Sequence, residues 1–273
     1  MVTELKKIQG LIAGEGILPV NAAKCASEQD YDVICISFDS KNYHDLKKYC
    51  KKVYKFAPGE VEKILITLNE EQVEQLTFIG KVSKTILFSP RNLKLDKRAF
   101  NLIKTAKKLN DDALMLLMIK ELEKENIEAL DQTLFIKNLL VKKGVLGEHQ
   151  PTPEQLEDIE FGFGLAKEMG RLDIGQSVVV QNKMILAVEA IEGTDRAIER
   201  GCKLGNKNAV VVKVSKPNQD KRFDIPAIGM RTIKAMKRYG GTVIALEADE
   251  TFIIDREKMI DYADKNEIVV IAV

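Results

Sequence analysis

A short apolar run, two glycines and a helix-type segment at the start of the chain constrain its fold most. Ile8–Ile12 is typical of a β-strand, and Ala13-Gly14-Glu15-Gly16 follows it directly. Pro19–Ser27 then has the character of a helix, and its proline favours the first turn because the missing N–H would have no partner there. Strand, glycine-rich turn and helix open a βαβ unit, in which Gly14 and Gly16 let the backbone approach an anionic group of a substrate.

The same turn is an incomplete match to the dinucleotide-binding pattern. Pro19 stands where the third glycine of that pattern would fall, and Glu15 places a negative charge inside the turn. A nicotinamide-dependent oxidoreductase is therefore an interpretation that rests on this turn alone.

Strand-type and helix-type segments alternate along the rest of the chain, which predicts an α/β fold. Asp32–Phe38 and Leu76–Gly80 are strand-type runs, and Asp111–Asn126 has the spacing of an amphipathic helix. In the second half, Ser177–Gln181 and Met184–Ala190 predict a β-hairpin.

Clear periodicity is lost over residues 127–150, and we place the domain change in this region. We therefore predict a Rossmann-like N-terminal domain with a parallel sheet, residues 1–132. A C-terminal domain of mixed α/β structure is predicted for residues 133–273.

The charge and the cysteine content exclude several classes of protein. The 273 residues include 42 Lys and Arg against 41 Asp and Glu, so the chain lacks the basic excess of a nucleic-acid binder. No apolar run approaches the roughly 20 residues that span a bilayer, and the apolar stretch near the N-terminus is too short for a secretory signal. We therefore predict a cytoplasmic protein. The four cysteines show no CxxC spacing and there are two histidines, which argues against a zinc site or a disulfide scaffold.

Two charged connections in the second half are the strongest candidates for a site. Glu189–Asp195 and Lys213–Gly229 each follow a strand-type run and lead into a helix. If the two strands are parallel neighbours, both connections emerge on the same edge of the sheet, where α/β folds bind ligands. The carboxylates that could hold Mg²⁺, or alternatively Mn²⁺, are Glu189, Asp195, Asp220 and Asp224.

Basic and polar residues around these acids fit the phosphate groups of a substrate. Residues 196–222 contain eight Lys or Arg against two acids. The substrate-binding candidates here are Thr194, Lys213, Lys216, Gln219 and Arg222, and in the first half Gly14, Gly16, Lys81 and Ser83. For every one of them a plain structural role is the alternative: a strand-end acid, a helix cap or a solvated face.

Four stretches resemble the UDP-2,3-diacylglucosamine pyrophosphatase family of the LpxI type. They are IAGEGILP, GKVSK, GQSVVVQNKMILAVEAIEGTDRAI and VVKVSKPNQDKRFDIPAIG. The resemblance implies a Rossmann-like domain and a distinct α/β domain with substrate held between them. It also implies Mg²⁺-dependent hydrolysis of UDP-2,3-diacylglucosamine to 2,3-diacylglucosamine 1-phosphate (lipid X) and UMP, a cytoplasmic step of lipid A synthesis.

Within the resemblance, the essential acid of the family falls on Asp224, as a metal ligand or base. The sequence departs from the family pattern at Lys84, where an arginine is expected, and at Asn206-Lys207-Asn208, which replaces a glycine-richer turn. The alternative is a non-catalytic protein that binds or senses a UDP-sugar lipid. Peripheral contact with membrane lipid and assembly into a homo-oligomer stay open.

Overall fold

The chain is described from a computed structural model over residues 6–82, 94–105, 111–205 and 208–273. Ser83 and Lys84 lie outside the described residues, as do Asn206 and Lys207. The chain divides into two compact units. The first comprises Met1–Lys137 and Lys221–Asp224, and the second comprises Asn138–Asp220 and Ile225–Val273.

The first unit is built on a five-stranded parallel sheet with the strand order β3-β2-β1-β4-β5. This is the order of a Rossmann-like sheet, which confirms the predicted fold class of the N-terminal half. Its strands are β1 (Lys7–Ala13), β2 (Tyr31–Ser37), β3 (Lys52–Lys55), β4 (Gln75–Ile79) and β5 (Glu128–Leu130). Its described helices are α1 (Leu18–Glu28), α2 (Tyr43–Leu46), α3 (Val61–Glu70), α4 (Lys97–Thr105) and α5 (Asp111–Lys124).

The central strands of this sheet are apolar because both of their faces are covered. The last five residues of β1 and of β2 are all buried, as expected of a parallel sheet packed on both sides. On one face, Ile12 and Ile34 join Leu65 of α3 and Leu122 of α5 in a single core. The predicted helix of residues 111–126 therefore contributes to this core.

The second unit contains a six-stranded mixed sheet with the order β6-β13-β11-β9-β7-β8 and a two-stranded sheet, β10-β12. The predicted mixed α/β structure is thereby confirmed. Its strands are β6 (Gly144–Val145), β7 (Ser177–Gln181), β8 (Met184–Val188), β9 (Ala209–Lys213), β10 (Ala227–Ile228), β11 (Gly241–Leu246), β12 (Phe252–Ile253) and β13 (Val269–Ala272). Its described helices are α6 (Pro153–Arg171), α7 (Thr194–Leu204), α8 (Met230–Tyr239) and α9 (Arg256–Asp264).

The strands before the two charged connections, β8 and β9, are not neighbours. Strand β7 lies between them and pairs antiparallel with both. Because two antiparallel pairings restore the original direction, β8 and β9 run the same way and their connections leave the same edge of the sheet. The premise that β8 and β9 are neighbouring strands was wrong. The expectation that their two connections share one edge of the sheet is confirmed.

The division between the units differs from the boundary that we placed between residues 132 and 133. Phe135 and Ile136 are buried, and the ring of Phe135 packs edge-on against Tyr31 with 5.1 Å between centroids. Residues 133–137 therefore belong with the first unit. Lys221–Asp224 also belongs there, although its position in the sequence assigns it to the second half.

Helix α6 is the longest helix in the described ranges, at 19 residues, and charged side chains are spread along it. In the part of the chain that the structure describes, no helix combines the length and the apolar character needed to cross a membrane.

The β7–β8 hairpin turns as predicted at Asn182 and Lys183, and a buried carboxylate holds the turn. Both residues have positive φ angles, 51° and 56°, as a two-residue type I′ hairpin turn requires. Asp158 of α6, which is 4% exposed, accepts hydrogen bonds from the backbone N–H of Asn182 at 2.9 Å and of Lys183 at 2.6 Å. The helix therefore fixes the turn through charge-assisted bonds.

Replacing Asp158 by alanine is expected to lower the free energy of unfolding by about 1.5–3 kcal/mol, because the two N–H groups of the turn lose a charged acceptor. Urea denaturation followed by circular dichroism measures this change. The matched control is Glu157→Ala, whose exposed carboxylate pairs with the Lys183 ammonium at 2.7 Å and is expected to contribute less than about 1 kcal/mol. Equal losses for the two variants would contradict this account of the turn.

Candidate functional site

Three side chains at the common edge of the second sheet form a hydrogen-bonded series. Lys213, the last residue of β9, is 4% exposed, and its Nζ donates to Thr194 Oγ1 at 2.8 Å. Thr194 Oγ1 in turn donates to Glu189 Oε1 at 2.9 Å. We call Lys213, Thr194 and Glu189 the hydroxyl bridge. Through it the two charged connections meet, as their charges and positions in the sequence suggested.

Ser177 lies in the strand between the two ends of the hydroxyl bridge. It pairs across the sheet with Lys213 on one side, and on the other side the Glu189 N–H donates to the Ser177 carbonyl at 2.8 Å. Directly opposed residues of antiparallel strands point to the same face. Helix α7 covers that face, since a Cβ added at Gly201 would lie 2.5 Å from Val179, two residues along β7. Ser177 therefore lies beneath the hydroxyl bridge.

Several polar atoms at this edge are buried with no hydrogen-bond partner among the described residues. They are Ser177 Oγ, Glu189 Oε2 and, from the preceding loop, Gln176 Oε1. Buried polar atoms of native proteins are nearly always paired, so each exception requires an explanation. Ser177 and Gln176 were not predicted from the sequence. The available signal was a serine at the start of a continuous valine run, which is typical of a strand buried on both faces.

Glycines hold the loops of this edge close together. A Cβ added at Gly175 would lie 2.2 Å from the Glu189 carbonyl oxygen, and one at Gly170 would lie 3.1 Å from Lys216 Cα. Only a residue without a side chain fits at Gly175 without moving the backbone of Glu189. The sequence therefore uses Gly175 to bring the loop before β7 against the acid of the hydroxyl bridge.

Neither Thr194 nor Asp195 is the cap of helix α7. Gly193, with a φ of 82°, is the N-cap residue, whereas Thr194 and Asp195 lie inside the first turn. The Thr194 hydroxyl belongs to the hydroxyl bridge, and the Asp195 carboxylate forms an ion pair with Arg231 Nε at 2.6 Å. Of the predicted metal ligands, Asp195 is thus already neutralised by a guanidinium.

Lys216 and Gln219 form a turn just beyond β9. The Lys216 N–H donates to Gln219 Oε1 at 2.9 Å, and the Gln219 N–H donates to the Lys216 carbonyl at 3.0 Å. Lys216 Nζ also contacts Asp173 Oδ1 at 2.8 Å. This turn places Lys216 and Gln219 near the loop before β7, on the side of the predicted site. Asp220 is the last residue of this stretch within the second unit.

Arg222 and Asp224 are carried by the first unit and are both half-buried. Their segment is fixed on each side of Arg222. Gln132, which is itself buried, donates its backbone N–H to the Lys221 carbonyl at 2.9 Å, and Phe223 packs against the apolar core of the first unit.

The glycine turn of the first unit meets Lys81 by backbone contact. The Glu15 N–H donates to the Lys81 carbonyl at 2.7 Å, and the Lys81 N–H donates back to Glu15 at 3.1 Å. A Cβ at Gly14 would lie 2.6 Å from the Lys81 carbonyl oxygen, whereas one at Gly16 would meet no described atom within 4 Å. Gly14 therefore permits this close approach, and Gly16 supplies the positive φ of 97°. Ser83 lies outside the described residues.

Part of the predicted basic excess forms a solvent-facing network on α7. Arg200 Nη2 donates to Glu192 Oε1 at 2.7 Å. The backbone N–H of Glu192 and this guanidinium both lower the pKa of the Glu192 carboxyl. Lys203 and Arg196 both donate to Glu199 and hold its pKa at about 2. These three cations are themselves exposed, so the alternative of a solvated face applies to them.

The described residues fit a divalent cation only in part. No three His, Cys, Asp or Glu side chains in the described ranges are grouped so that they could hold a metal ion. Magnesium, however, commonly binds through one or two carboxylates, with waters and substrate phosphates as its other ligands. The donor set therefore fits an ion that arrives with a phosphorylated substrate, and it does not form a closed cage.

The fold and this edge define a two-unit α/β protein, a Rossmann-like unit followed by a mixed α/β unit with a buried cation at its sheet edge. Residues 9–139 match the family described as "LpxI N-terminal domain", and residues 142–271 match "LpxI C-terminal domain". A relative from Caulobacter vibrioides (strain ATCC 19089 / CIP 103742 / CB 15), named UDP-2,3-diacylglucosamine pyrophosphatase LpxI, is 34% identical over 267 residues. The match covers 93% of each chain. The chain belongs to the LpxI family, and the resemblance seen in its sequence is confirmed.

Replacing Thr194 by valine is expected to lower the free energy of unfolding by about 1–3 kcal/mol, because a buried ammonium and a buried carboxylate each lose a hydrogen bond. Urea denaturation measures it. Thr194→Ser keeps the hydroxyl and should retain most of the stability, within about 1 kcal/mol of wild type. A valine variant as stable as the serine variant would show that the hydroxyl bridge contributes little.

Proposed function

We propose that this protein hydrolyses the pyrophosphate bond of UDP-2,3-diacylglucosamine and releases 2,3-diacylglucosamine 1-phosphate (lipid X) and UMP in lipid A synthesis. The observation that carries the proposal is the 34% identity to the Caulobacter vibrioides pyrophosphatase across nearly the whole of both chains. A match of that extent includes most of both units, and the family match over residues 142–271 spans every residue of the hydroxyl bridge. The buried ammonium of Lys213 supports the same proposal, because an anionic substrate requires fixed positive charge.

In this reaction a water oxygen forms a bond to one phosphorus, and the bond from that phosphorus to the bridging oxygen breaks. Negative charge grows on the bridging oxygen as it leaves, and the attacking water gives up its protons. In this proposal Lys213 interacts with charge on the phosphates, from a largely buried position where electrostatic interactions are stronger than in water. The hydroxyl bridge fixes the direction of its ammonium, so little reorganisation is needed during the reaction.

Asp224 is the residue to which we assign the essential acid, as metal ligand or as base. A bound Mg²⁺ would supply positive charge to the phosphate oxygens and acidify a water molecule. Asp224 would hold the ion. We favour Asp224 among the four predicted carboxylates because the resemblance to the family places its essential acid at this residue. The role of Asp220 as a second ligand stays a prediction.

The substrate groups predicted for the remaining residues stay predictions as well. Lys216, Gln219 and Arg222 are proposed contacts of the phosphates or the sugar, and Gly14, Gly16 and Lys81 are proposed contacts of the first unit with the head group. A cytoplasmic location, peripheral contact with membrane lipid and assembly into a homo-oligomer also belong to the proposal.

Purified protein incubated with UDP-2,3-diacylglucosamine and Mg²⁺ is expected to release UMP and lipid X in equal amounts, measured by chromatography and mass spectrometry. Asp224→Asn should lose about 100-fold or more of the rate, because the amide can neither accept a proton nor neutralise a cation. Asp249→Asn is the control, since its exposed carboxylate pairs only with Lys142 among the described residues. Tight binding of the substrate without release of UMP would instead favour the non-catalytic alternative.

Removal of divalent cations with EDTA is expected to abolish UMP release, and added Mg²⁺ should restore it. Mn²⁺ should restore it at least in part, because both ions prefer oxygen ligands. Circular dichroism before and after EDTA checks that the fold is intact, which is expected because no closed metal cage is present among the described residues. Full activity in EDTA would remove the metal from the proposal and leave the substrate assignment standing.

A further inference from the structure

We propose that Ser177 and Glu189 together receive one hydroxyl group of the substrate, either on its ribose or on its glucosamine ring. The inference rests on the proposed function, since it names the substrate group that this edge of the sheet recognises. Ser177 is a new site residue. Glu189 becomes a contact to a neutral hydroxyl group in place of a metal ligand.

The starting observation is a pair of buried oxygen atoms on neighbouring residues. Neither atom has a hydrogen-bond partner among the described residues. Ser177 is fully buried and its Oγ has no hydrogen-bond partner among the described residues. Glu189 is 9% exposed, and its Oε2 also has no hydrogen-bond partner among the described residues. Its other oxygen, Oε1, accepts a hydrogen bond from Thr194. A buried acceptor without a donor is costly, so such an atom is completed by an ordered water, an ion or a ligand, and we consider a ligand here.

The backbone places these two side chains next to each other on one face. The Glu189 N–H donates to the Ser177 carbonyl, so the two residues are directly opposed on neighbouring chain segments and share a face. Directly opposed residues have Cβ atoms about 4.5–5.5 Å apart. One ligand oxygen between two neighbouring side chains of this kind can hydrogen-bond to both.

The chemistry of the two atoms selects a hydroxyl group. An ionised carboxylate only accepts hydrogen bonds, so Glu189 Oε2 repels a phosphate oxygen and requires a donor or a cation. The Ser177 hydroxyl both donates and accepts. A single ligand O–H can therefore donate to Glu189 and accept from Ser177, which satisfies both atoms at once.

A divalent cation is disfavoured at the same position by the charge already present. The Lys213 ammonium is bonded to the Thr194 hydroxyl, which is bonded to the same Glu189 carboxylate. Lys213 is also the cross-strand neighbour of Ser177. A metal ion between Ser177 and Glu189 would thus lie close to a buried positive charge, and like charges in a buried setting repel strongly.

This arrangement predicts strong discrimination by the substrate hydroxyl. A site that hydrogen-bonds a hydroxyl leaves its own buried groups unpaired when the ligand lacks that hydroxyl. Four hydroxyls of UDP-2,3-diacylglucosamine are free to fill the position: the ribose 2′ and 3′ groups and the glucosamine 4 and 6 groups. Because both rings offer the same chemistry, the experiment separates the two sources.

The test measures binding of UDP-2,3-diacylglucosamine and its four single-deoxy analogues to the full chain by isothermal titration calorimetry. Wild type is expected to bind one analogue about 10- to 100-fold more weakly than the parent compound. Ser177→Ala should bind the parent about that much more weakly too, and it should not distinguish that analogue from the parent. Loss of the hydroxyl from either side would then have the same effect.

The stability of the variants separates this role from a structural one. The Ser177 hydroxyl has no hydrogen bond to lose among the described residues, so Ser177→Ala is expected to unfold at the same urea concentration as wild type. Thr251→Val is the matched control, because Thr251 Oγ1 is equally buried and unpaired in the described chain but precedes β12, outside the six-stranded sheet. It should bind all five compounds like wild type.

Several results would overturn the proposal. Wild type that binds all four analogues as tightly as the parent has no such hydroxyl contact, and a Ser177→Ala protein that binds the parent normally excludes Ser177. Glu189→Gln should weaken binding of the parent at every Mg²⁺ concentration. If it changes only the amount of Mg²⁺ required, Glu189 is a metal ligand.

The proposed function is judged separately in the same experiments. Binding that follows the expected pattern without UMP release would support the hydroxyl contact and reject the hydrolysis. UMP release from all four analogues at the rate of the parent, with unchanged affinity, would support the hydrolysis and reject the hydroxyl contact. A protein that neither binds nor hydrolyses the parent compound rejects both.

Discussion

The ammonium of Lys213 is buried at the end of β9, and burying a charge is costly unless hydrogen bonds replace its water. Thr194 supplies one of these bonds, and its hydroxyl is available because Gly193 takes the cap position of α7. Thr194 then needs an acceptor for its own proton, which Glu189 provides. The loop before β7 can approach Glu189 because Gly175 has no side chain. One buried charge thus explains the arrangement of four segments of the second unit.

Elements with strong periodicity were predictable from the sequence, because their pattern is decided by local burial. The β7–β8 hairpin is an example: two continuous apolar runs place its strands, and Asn182-Lys183 marks its turn. The charged connections were also recognisable as a site, and Lys213 and Thr194 do come together. Both successes depend on residues close in sequence or on the general rule that parallel strands share one edge.

What could not be predicted depends on pairing between distant segments. The position of β7 between β8 and β9 is a choice of strand order, and it alone places Ser177 beneath the hydroxyl bridge. The acceptor role of Asp158 arises because α6 packs beside a turn 24 residues further along the chain. Gly14 was interpreted as an approach for an anion, yet its missing side chain is required by the Lys81 carbonyl from another strand. Contacts between such distant segments produce no periodic pattern of residues from which they could be predicted.

Because it contains Lys221–Asp224, the first unit is not encoded by one continuous stretch of the sequence. These four residues count with the first unit although they are encoded more than eighty positions after the rest of it. A gene fragment that ends near residue 139, where the first family match stops, would encode a first unit without Phe223 on its core. Exchange of the C-terminal half between relatives would likewise transplant part of the neighbouring unit. The two halves are therefore constrained to evolve together, since a change in the core around Phe223 has to be matched far downstream in the same chain.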